Sequence, residues 1–359
     1  MTIPKTMKAL VAYGQNDYRY VEDFPVPEIG PDDLLMKTEG CGVCASDMKC
    51  QHGAVMYWGD EETPAWVKAP FIPGHEFLGR VVKVGENVTE YKVGDRITVE
   101  QIAPCGECRY CKSGKYWMCQ PHNMYGFFTD FCGGMAEYVR IRGKHAMIHK
   151  VPEELPLEAA LLIEPFSCSK HCVDRADIGP DDIVVLSGAG TLGLGMVTYA
   201  ALHNPRELIV LDLIDERLEK AKEFGATRVW NPSKMDVVAA IMELTEGYGC
   251  DIYIEATGHP ASVRQGMKMI RKLGRFVEFS VFGSETSLDW SIIGDKKELD
   301  VLGSHLGPYC YPYVIEGMTN GKIKTNGVVS STFPLDQWEA AFERVSGKYG
   351  DFKVAFVFD

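Results

Sequence analysis

The sequence predicts an α/β protein in which a β-rich, barrel-like domain is followed by a doubly wound parallel sheet. The chain has 359 residues, more than one ordinary core supports, and 46% of them are hydrophobic, enough to fill two cores. Up to about residue 165, short alternating stretches such as GRVVKVGENV and GDRITVE indicate short strands. Beyond it, apolar runs alternate with helical stretches, a pattern typical of a parallel sheet covered by helices on both faces.

The strands of the second domain are predicted at four apolar runs. DIVVLSGAG and ELIVLDL are the first two, and the helical stretches TLGLGMVTYAALH and DERLEKAKEFGA follow them. DIYIEATG and GRFVEFSV supply the later strands, again with helical segments between them. Consecutive strands joined by helices are expected to lie parallel.

Composition excludes several classes of partner. The formal net charge is −13, with 37 Lys and Arg against 50 Asp and Glu, which argues against binding to the phosphates of nucleic acids. The N-terminal stretch MTIPKTMKALVAYGQND has no long apolar run, and eighteen apolar residues never follow one another. We therefore expect a cytoplasmic protein with no membrane partner.

Four cysteines lie close together in the first domain, within PCGECRYCKSGKYWMC. They are Cys105, Cys108, Cys111 and Cys119. In a reducing compartment thiols stay free or bind metal, and four thiolates close a tetrahedral zinc site that has no open position. The spacing predicts a structural zinc site. Two alternatives stay open: thiols scattered in a loop, and a redox or iron–sulfur site, for which a proline after the last cysteine is typical and only the displaced Pro121 is present.

A glycine motif opens the second domain directly after its first strand. Gly188 makes a tight turn, Gly190 lets a pyrophosphate approach the backbone, and Gly193 lets helix and strand pack closely. Asp212 ends the next strand about twenty residues beyond the second glycine, where a carboxylate would bind ribose hydroxyls and repel a 2′-phosphate, so NAD is favoured over NADP. The alternative is a plain glycine-rich turn beside a surface Asp. The predicted cofactor site comprises Gly188, Gly190, Thr191, Leu192, Gly193, Asp212 and Arg217.

Three separate stretches carry further metal-ligand residue types: GCGVCASDMK, PGHEFLG and LLIEPFSCS. They contain Cys44, His75, Glu76 and Glu164. Thiolate, imidazole and carboxylate groups form a catalytic zinc site when a fourth position is left to water or substrate. Spacing alone does not bring them together. Taken singly, the cysteine also fits a small buried thiol, the histidine a satisfied or surface side chain, and Glu164 a helix-start residue.

The motifs together resemble one family. GVCASD, GHEFLG, VGDRI, the four-cysteine segment, GGMAEYV, IEPFSCS and GAGTLGL occur in the order and at the spacings of the zinc-dependent medium-chain alcohol and polyol dehydrogenases, over essentially the whole chain. This resemblance implies a GroES-like catalytic domain at 1–165 that carries the structural-zinc lobe, a Rossmann NAD-binding domain at 166–306, and a segment at 307–359 that returns to the catalytic domain. It further implies NAD, one catalytic and one structural zinc ion per chain, and a homo-oligomer, a tetramer or a dimer.

The resemblance also assigns roles to residues of the catalytic site. It implies that Cys44 and His75 bind zinc and that Glu76 is a direct or alternating ligand. Glu164 stands where ethanol-oxidising members have a second cysteine and where sorbitol-dehydrogenase-like members have Glu, which leans toward polyols. Ser46 resembles the hydroxyl that begins the proton relay. The alternative is a turn serine beside Asp47, for which we expect a structural hydrogen-bonding part. Ser46, Glu76 and Glu164 are therefore the predicted catalytic residues.

The expected function is the transfer of a hydride from a secondary hydroxyl of a polyol to NAD, giving a ketose. In sorbitol dehydrogenases an Arg after the last strand of the cofactor domain helps to hold the polyol chain. This sequence reads DVLGSHLGPYCY there, with His305 near the place of that Arg, which favours a four-carbon substrate such as erythritol or threitol. A secondary-alcohol or threonine-type dehydrogenase is the alternative enzyme, and a zinc-stabilised NAD-binding regulator is the non-enzymatic one.

An insertion between the first two ligand motifs has no assigned role. Residues 51–73 carry Tyr57, Trp58 and Trp66, which line either the mouth of the substrate pocket or a surface loop. Phe127 and Phe128 are candidates for the apolar wall of that pocket, with core packing as the alternative.

Overall fold

The computed structural model describes residues 2–143, 146–345 and 349–359, and divides the chain into two compact units. One unit comprises Met1–Glu164 and Tyr311–Asp359, and the other Pro165–Cys310. The divisions fall at 164/165 and 310/311, where the sequence predicted 165/166 and 306/307. Among the described residues, every helix is too short or too polar to cross a membrane.

The first unit is built mainly from short antiparallel strands, as the alternating stretches predicted. Its strands up to the division are β1 (Thr6–Gly14), β2 (Asp17–Pro25), β3 (Leu34–Val43), β4 (Glu76–Val84), β5 (Arg96–Val99), β6 (Tyr138–Ile141) and β7 (Ile148–Lys150). Its helices there are α1 (Ala45–Gln51), α2 (Val55–Trp58), α3 (Arg109–Lys112) and α4 (Leu157–Ala160), and α5 (Ile163–Ala176) runs across the division.

The second unit alternates strands and helices. Its strands are β8 (Ile183–Ser187), β9 (Glu207–Leu211), β10 (Arg228–Trp230), β11 (Cys250–Glu255), β12 (Ile270–Glu278) and β13 (Asp300–Gly303). Its helices are α6 (Thr191–Leu202), α7 (Asp215–Phe224), α8 (Val237–Leu244) and α9 (Pro260–Met269). The strands run parallel in the order β10-β9-β8-β11-β12-β13. In this doubly wound order the reversal point, where dinucleotides bind, lies between β8 and β11.

The chain then returns to the first unit. The returning elements are α10 (Tyr311–Thr319), β14 (Val329–Phe333), α11 (Trp338–Val345) and β15 (Lys353–Val357). A seven-stranded sheet follows the path β14-β15-β3-β4-β5-β7, with β6 paired to β3, and β1 and β2 form a separate pair. β15 lies antiparallel to β3, with Val354 opposite Val43, so the last strand of the chain delivers its side chains beside the end of β3.

Each unit has a core that explains its strands. Most apolar side chains of the four runs predicted as strands of the second unit are buried, and Val185, Ile209 and Tyr253 are fully buried in one cluster. Burying one such side chain contributes about 1.5–3 kcal/mol, so the runs fold as central strands rather than as surface segments. The predicted fold class is confirmed: a β-rich unit and a doubly wound parallel sheet.

Candidate active site

Cys44 is positioned by the join between β3 and α1. It is the residue before the helix, in an extended conformation with φ −96° and ψ 154°. The Asp47 carboxylate, which is almost fully buried, accepts the backbone N–H of Cys44 through Oδ2 at 2.9 Å. This bond caps the helix and fixes the direction in which the Cys44 side chain leaves the backbone.

His75 and Glu76 bring two further ligand types to Cys44. One ligand atom of each of the three residues lies within 4.8 Å of the others. His75 precedes β4, and Gly74 before it has φ +93° and no room for a side chain, since a Cβ there would lie 2.5 Å from Cys41 Sγ. A sulfur, a nitrogen and an oxygen donor at this separation fit a divalent ion such as zinc with three protein ligands.

The His75 ring is oriented by a carboxylate and by an aromatic ring. Its Nδ1 lies 3.6 Å from Asp47 Oδ1, and both atoms are buried without a hydrogen-bond partner in the described residues. The ring stacks on Phe127 at 5.5 Å. Burial opposes the charged form, but the charges of Asp47 and Cys44 raise the pKa of His75 well above its ordinary value. With Nδ1 facing Asp47, Nε2 is the nitrogen left for the ligand group.

Glu76 forms a buried ion pair with Lys353, a residue that the sequence analysis missed. Lys353 Nζ donates to Glu76 Oε1 at 2.7 Å and Oε2 at 2.5 Å, and to the Val43 carbonyl at 3.2 Å. Burial lowers the pKa of Lys353, but the charge of Glu76 outweighs it and holds that pKa above its ordinary value. Gly42 makes room for the carboxylate, because a Cβ there would lie 2.2 Å from Glu76 Oε2. The only sequence signal was a lysine at the head of the apolar strand KVAFV.

Glu164 lies outside the group that Cys44, His75 and Glu76 form. It stands in the first turn of α5 and is buried. Its Oε1 accepts a short hydrogen bond from Gln101 Nε2. The structure thus brings together three of the four predicted catalytic-zinc ligands, and the Gln101 amide engages the fourth. Direct coordination by Glu164 stays a prediction.

Ser46 and the aromatic residues of the insertion lie beside these ligands. Ser46 is half-buried on α1. The Tyr57 ring stacks on Phe127 at 5.6 Å with the planes 2° apart, and Trp66 contacts the same ring at 5.1 Å. Since Phe127 stacks in turn on His75, the insertion at 51–73 packs its rings toward the ligand group.

The four cysteines predicted to hold a structural ion converge. The four sulfurs lie within 4.8 Å of one another, and none of the twelve cysteines, all of which are in the described part of the chain, forms a disulfide. Backbone N–H groups point at the sulfurs, including Cys108 N and Glu107 N at 3.4 Å from Cys105 Sγ. Donation from Cys111 N and Gln120 N lowers the pKa of Cys108 to about 6, while burial raises the pKa of Cys111 to about 12. Four sulfurs at this separation fit a closed tetrahedral zinc site.

The glycine motif leaves room for a phosphate at the start of α6. Gly188 has φ +106°, and a Cβ on Gly193 would lie 2.0 Å from the Gly188 carbonyl oxygen, so both positions require glycine. Gly190 precedes α6, which begins at Thr191 and Leu192. A Cβ on Gly190 would point toward Arg217, whose Nη1 would be 3.9 Å away. Backbone N–H groups and a guanidinium at this turn suit a pyrophosphate.

Asp212 has a structural role that spacing did not reveal. Its Oδ2 accepts the Ala189 N–H at 2.8 Å, and its Oδ1 accepts the Ile214 N–H at 2.9 Å. The carboxylate therefore ties the glycine turn to the end of β9. Each oxygen keeps a second lone pair for a ligand hydroxyl.

Comparison with known proteins finds relatives over nearly the whole chain. Residues 30–153 match the family model described as the alcohol dehydrogenase GroES-like domain, and residues 191–320 match that described as zinc-binding dehydrogenase. An erythritol/L-threitol dehydrogenase of Mycolicibacterium smegmatis is 44% identical over 99% of this chain and 98% of its own. A sorbitol dehydrogenase of Bacillus subtilis is 32% identical over 96% of this chain and 94% of its own.

A solved structure with the same fold carries a dinucleotide. It is a zinc-binding dehydrogenase of Sinorhizobium meliloti 1021 bound to NADP, with a TM-score of 0.88 and 30% identity over 99% of this chain and 100% of that one.

Proposed function

Because the chain belongs to the zinc-dependent medium-chain alcohol and polyol dehydrogenases, we propose that it oxidises a secondary hydroxyl of a polyol to a ketone, with NAD as the hydride acceptor. The observation that carries this proposal is the group of Cys44, His75 and Glu76, three unlike donors that leave a coordination position for a substrate hydroxyl. A four-carbon polyol is the proposed substrate, since a relative that is 44% identical is named for erythritol and L-threitol.

The chain's own residues divide the work at this site. Cys44, His75 and Glu76 would hold a zinc ion, which when bound supplies a Lewis acid that lowers the pKa of a substrate hydroxyl. Asp47 orients the imidazole, and Lys353 pairs with the Glu76 carboxylate, so the negative charge of the donor set is partly offset.

Two further residues handle the substrate's hydroxyl and its proton. Ser46 would accept the proton of the substrate hydroxyl while its own hydroxyl proton passes on toward solvent, so that it begins the path by which the proton leaves. Glu164 is the third proposed catalytic group, either as a zinc ligand or through a hydrogen bond to a substrate hydroxyl.

The cofactor proposal rests on the glycine turn and on Asp212. Gly188, Gly190 and Gly193 would admit the pyrophosphate, and the N–H groups at Thr191 and Leu192 with the Arg217 guanidinium would bind it. Asp212 would accept hydrogen bonds from both hydroxyls of the adenosine ribose and repel a 2′-phosphate, which supports NAD. Because the Sinorhizobium structure contains NADP, this preference is tested below with both cofactors.

We extend the proposal to assembly and to the second metal ion. The four-cysteine lobe would hold a structural zinc ion, giving two ions per chain. β13 is an edge strand among the described residues, and its Val301 is 46% exposed, so it offers backbone groups and apolar surface to a second copy. A dimer or tetramer measured by light scattering supports this, and a monomer contradicts it. The cytoplasmic location stays a prediction.

The test combines metal analysis with a substrate panel. The parent protein is expected to hold two zinc ions per chain and to reduce NAD with tetritols faster than with six-carbon polyols, secondary alcohols or threonine. Cys44→Ala and His75→Ala should each retain one ion, bind NAD and lose turnover. Cys132→Ala, which removes a thiol outside both metal groups, is the matched control and should keep both ions and full activity. Turnover by Cys44→Ala at the parent rate, or activity in a protein with one ion, would refute the proposal.

A further inference from the structure

Gln101 and Tyr311 hold the Glu164 carboxylate through two consecutive hydrogen bonds. Gln101 Nε2 donates to Glu164 Oε1, and the Tyr311 hydroxyl donates to Gln101 Oε1 at 3.2 Å. The three side chains are buried, with exposed fractions of 2% for Gln101, 6% for Glu164 and 0% for Tyr311. Because the carboxylate only accepts, it takes the NH2 end of the Gln101 amide, and the Tyr311 hydroxyl then donates to the amide oxygen at the other end.

Contacts that begin at Tyr116, within the four-cysteine lobe at 105–119, also hold Tyr311 and Gln101. The Tyr311 ring stacks on His149 at 5.0 Å, and His149 Nε2 lies 3.0 Å from Glu100 Oε1. The hydroxyl of Tyr116, which lies between the third and fourth cysteine of the lobe, donates to Glu100 Oε2 at 2.8 Å. Glu100 and Gln101 are neighbours directly after β5, so one backbone segment is fixed by both side chains.

Glu164 would otherwise compete for the open coordination position. Glu164 is a buried carboxylate of the same unit, and its charge, like those of Glu76 and Cys44, acts on Lys353, which bonds Glu76. A carboxylate is an ordinary zinc ligand, and a site with three protein ligands has a vacancy to fill. A hydrogen-bond donor on the carboxylate is a direct means of keeping it elsewhere.

We propose that Gln101, fixed by Tyr311, is a positioning residue that keeps the Glu164 carboxylate out of the open coordination position beside Cys44, His75 and Glu76. This inference rests on the proposed function, because it requires a divalent ion at that group. It assigns Glu164 a role through hydrogen bonding rather than ligation. It leaves the coordination position to the substrate hydroxyl.

The test uses the full-length protein with cobalt(II) in the Cys44 site, since the visible absorption of cobalt reports its ligands. The spectrum of Cys44→Ala prepared in the same way is subtracted to remove any signal from the lobe. In Gln101→Met the donor is lost while side-chain length is kept. We expect the cobalt spectrum to change, release of cobalt to a chelator to slow on the order of tenfold, and kcat to fall. Adding Glu164→Gln to Gln101→Met should restore the parent spectrum and release rate.

Two further variants separate this effect from a loss of folding. Tyr311→Phe keeps the ring on His149 and removes only the hydroxyl, so it should shift the spectrum and release rate in the same direction by a smaller factor. Gln265→Met, a half-buried glutamine on α9, is the matched control and should behave as the parent. A parent-like spectrum and release rate in both Gln101→Met and Tyr311→Phe would overturn the positioning role alone. A parent protein that takes up metal only in its four-cysteine lobe would overturn the proposed function, and this inference with it.

Discussion

Asp47 Oδ1 lies 3.6 Å from His75 Nδ1, while Oδ2 of the same carboxylate accepts the backbone N–H of Cys44 at 2.9 Å. One buried carboxylate thus orients two of the three proposed zinc ligands, the imidazole through its ring nitrogen and the thiolate through the backbone that carries it. Partners of this kind tune metal affinity by fixing ligand geometry before the ion arrives.

Asp47→Asn should therefore weaken metal binding without removing a ligand. The amide keeps the shape of the side chain but replaces one charged oxygen with an N–H group, so either the Cys44 cap or the His75 contact is lost. We expect affinity for the ion at Cys44 to fall about 10–100-fold, seen as faster loss of one zinc ion per chain to a chelator. Asp181→Asn, at an exposed position, should release its zinc as the parent does. Equal release rates for the two variants would contradict an orienting role for Asp47.

Features that depend on short stretches of chain could be predicted from the sequence. The four cysteines of the lobe fall within fifteen residues, so their spacing alone brings their sulfurs together. The glycine turn is likewise local, because it follows one strand and opens one helix. Cys44, His75 and Glu76 were found by their residue types and by the motifs around them, and the structure groups them.

Contacts between distant parts of the chain could not be predicted in this way. Lys353 is separated from Glu76 by 277 positions, and Tyr311 from Gln101 by 210. Each pairing depends on the return of the chain after the second unit and on strand register, which no local pattern encodes. The same limit applies to Gln101, whose donation to Glu164 joins residues 63 positions apart.

The four-cysteine lobe should affect stability more than chemistry. Cys105→Ser removes one of four sulfur donors, and a site that folds its own loop loses binding energy that was also folding energy. We expect one zinc ion per chain instead of two and an unfolding midpoint lower by roughly 5 °C or more, measured by calorimetry. Cys132→Ser, a thiol outside both metal groups, should leave both quantities unchanged. A Cys105→Ser protein with two ions and the parent midpoint would show that the lobe is not a structural metal site.

Asp212 should set the choice between the two dinucleotides. Because its oxygens also accept the N–H groups of Ala189 and Ile214, Asp212→Gly would loosen the turn as well as remove the charge. Asp212→Asn is the cleaner change, since it removes the charge and keeps one acceptor. The ratio of kcat/KM with NADP to that with NAD should rise about tenfold, equivalent to about 1.4 kcal/mol.

Asp215→Asn is the matched control for the cofactor preference. This acid lies three residues further on and pairs with Lys234, so its loss should leave the ratio nearly unchanged. If Asp212→Asn and Asp215→Asn gave the same ratio as the parent, Asp212 would have no part in the discrimination.

Two carboxyl groups lie side by side at the ends of β11 and β12, and the titration of one of them, Glu278, should make stability depend on pH. Glu255 is directly opposite Glu278 in the parallel register. Glu255 is fully buried and accepts the N–H groups of Thr257 and Gly258. Burial, with the charge of Glu255 as the second cause, raises the pKa of Glu278 from 4.5 to about 7. Glu278 is therefore the member of the pair that keeps a proton near neutrality.

The sign of the effect follows from where that proton is held. Between pH 4.5 and about 7 the folded protein keeps a proton on Glu278 that the unfolded chain releases, so the folded state binds more protons and its free energy of unfolding falls as pH rises. Above about pH 7 the contribution is constant and unfavourable, because two neighbouring carboxylates are then charged.

Glu278→Gln keeps the hydrogen-bonding shape without the titration. At each pH we take the denaturation midpoint of the variant minus that of the parent. This difference should be more positive at pH 8 than at pH 5. Glu243 is an exposed acid on α8, so for Glu243→Gln this difference should be the same at both pH values. An equal difference at both pH values for Glu278→Gln would refute the raised pKa.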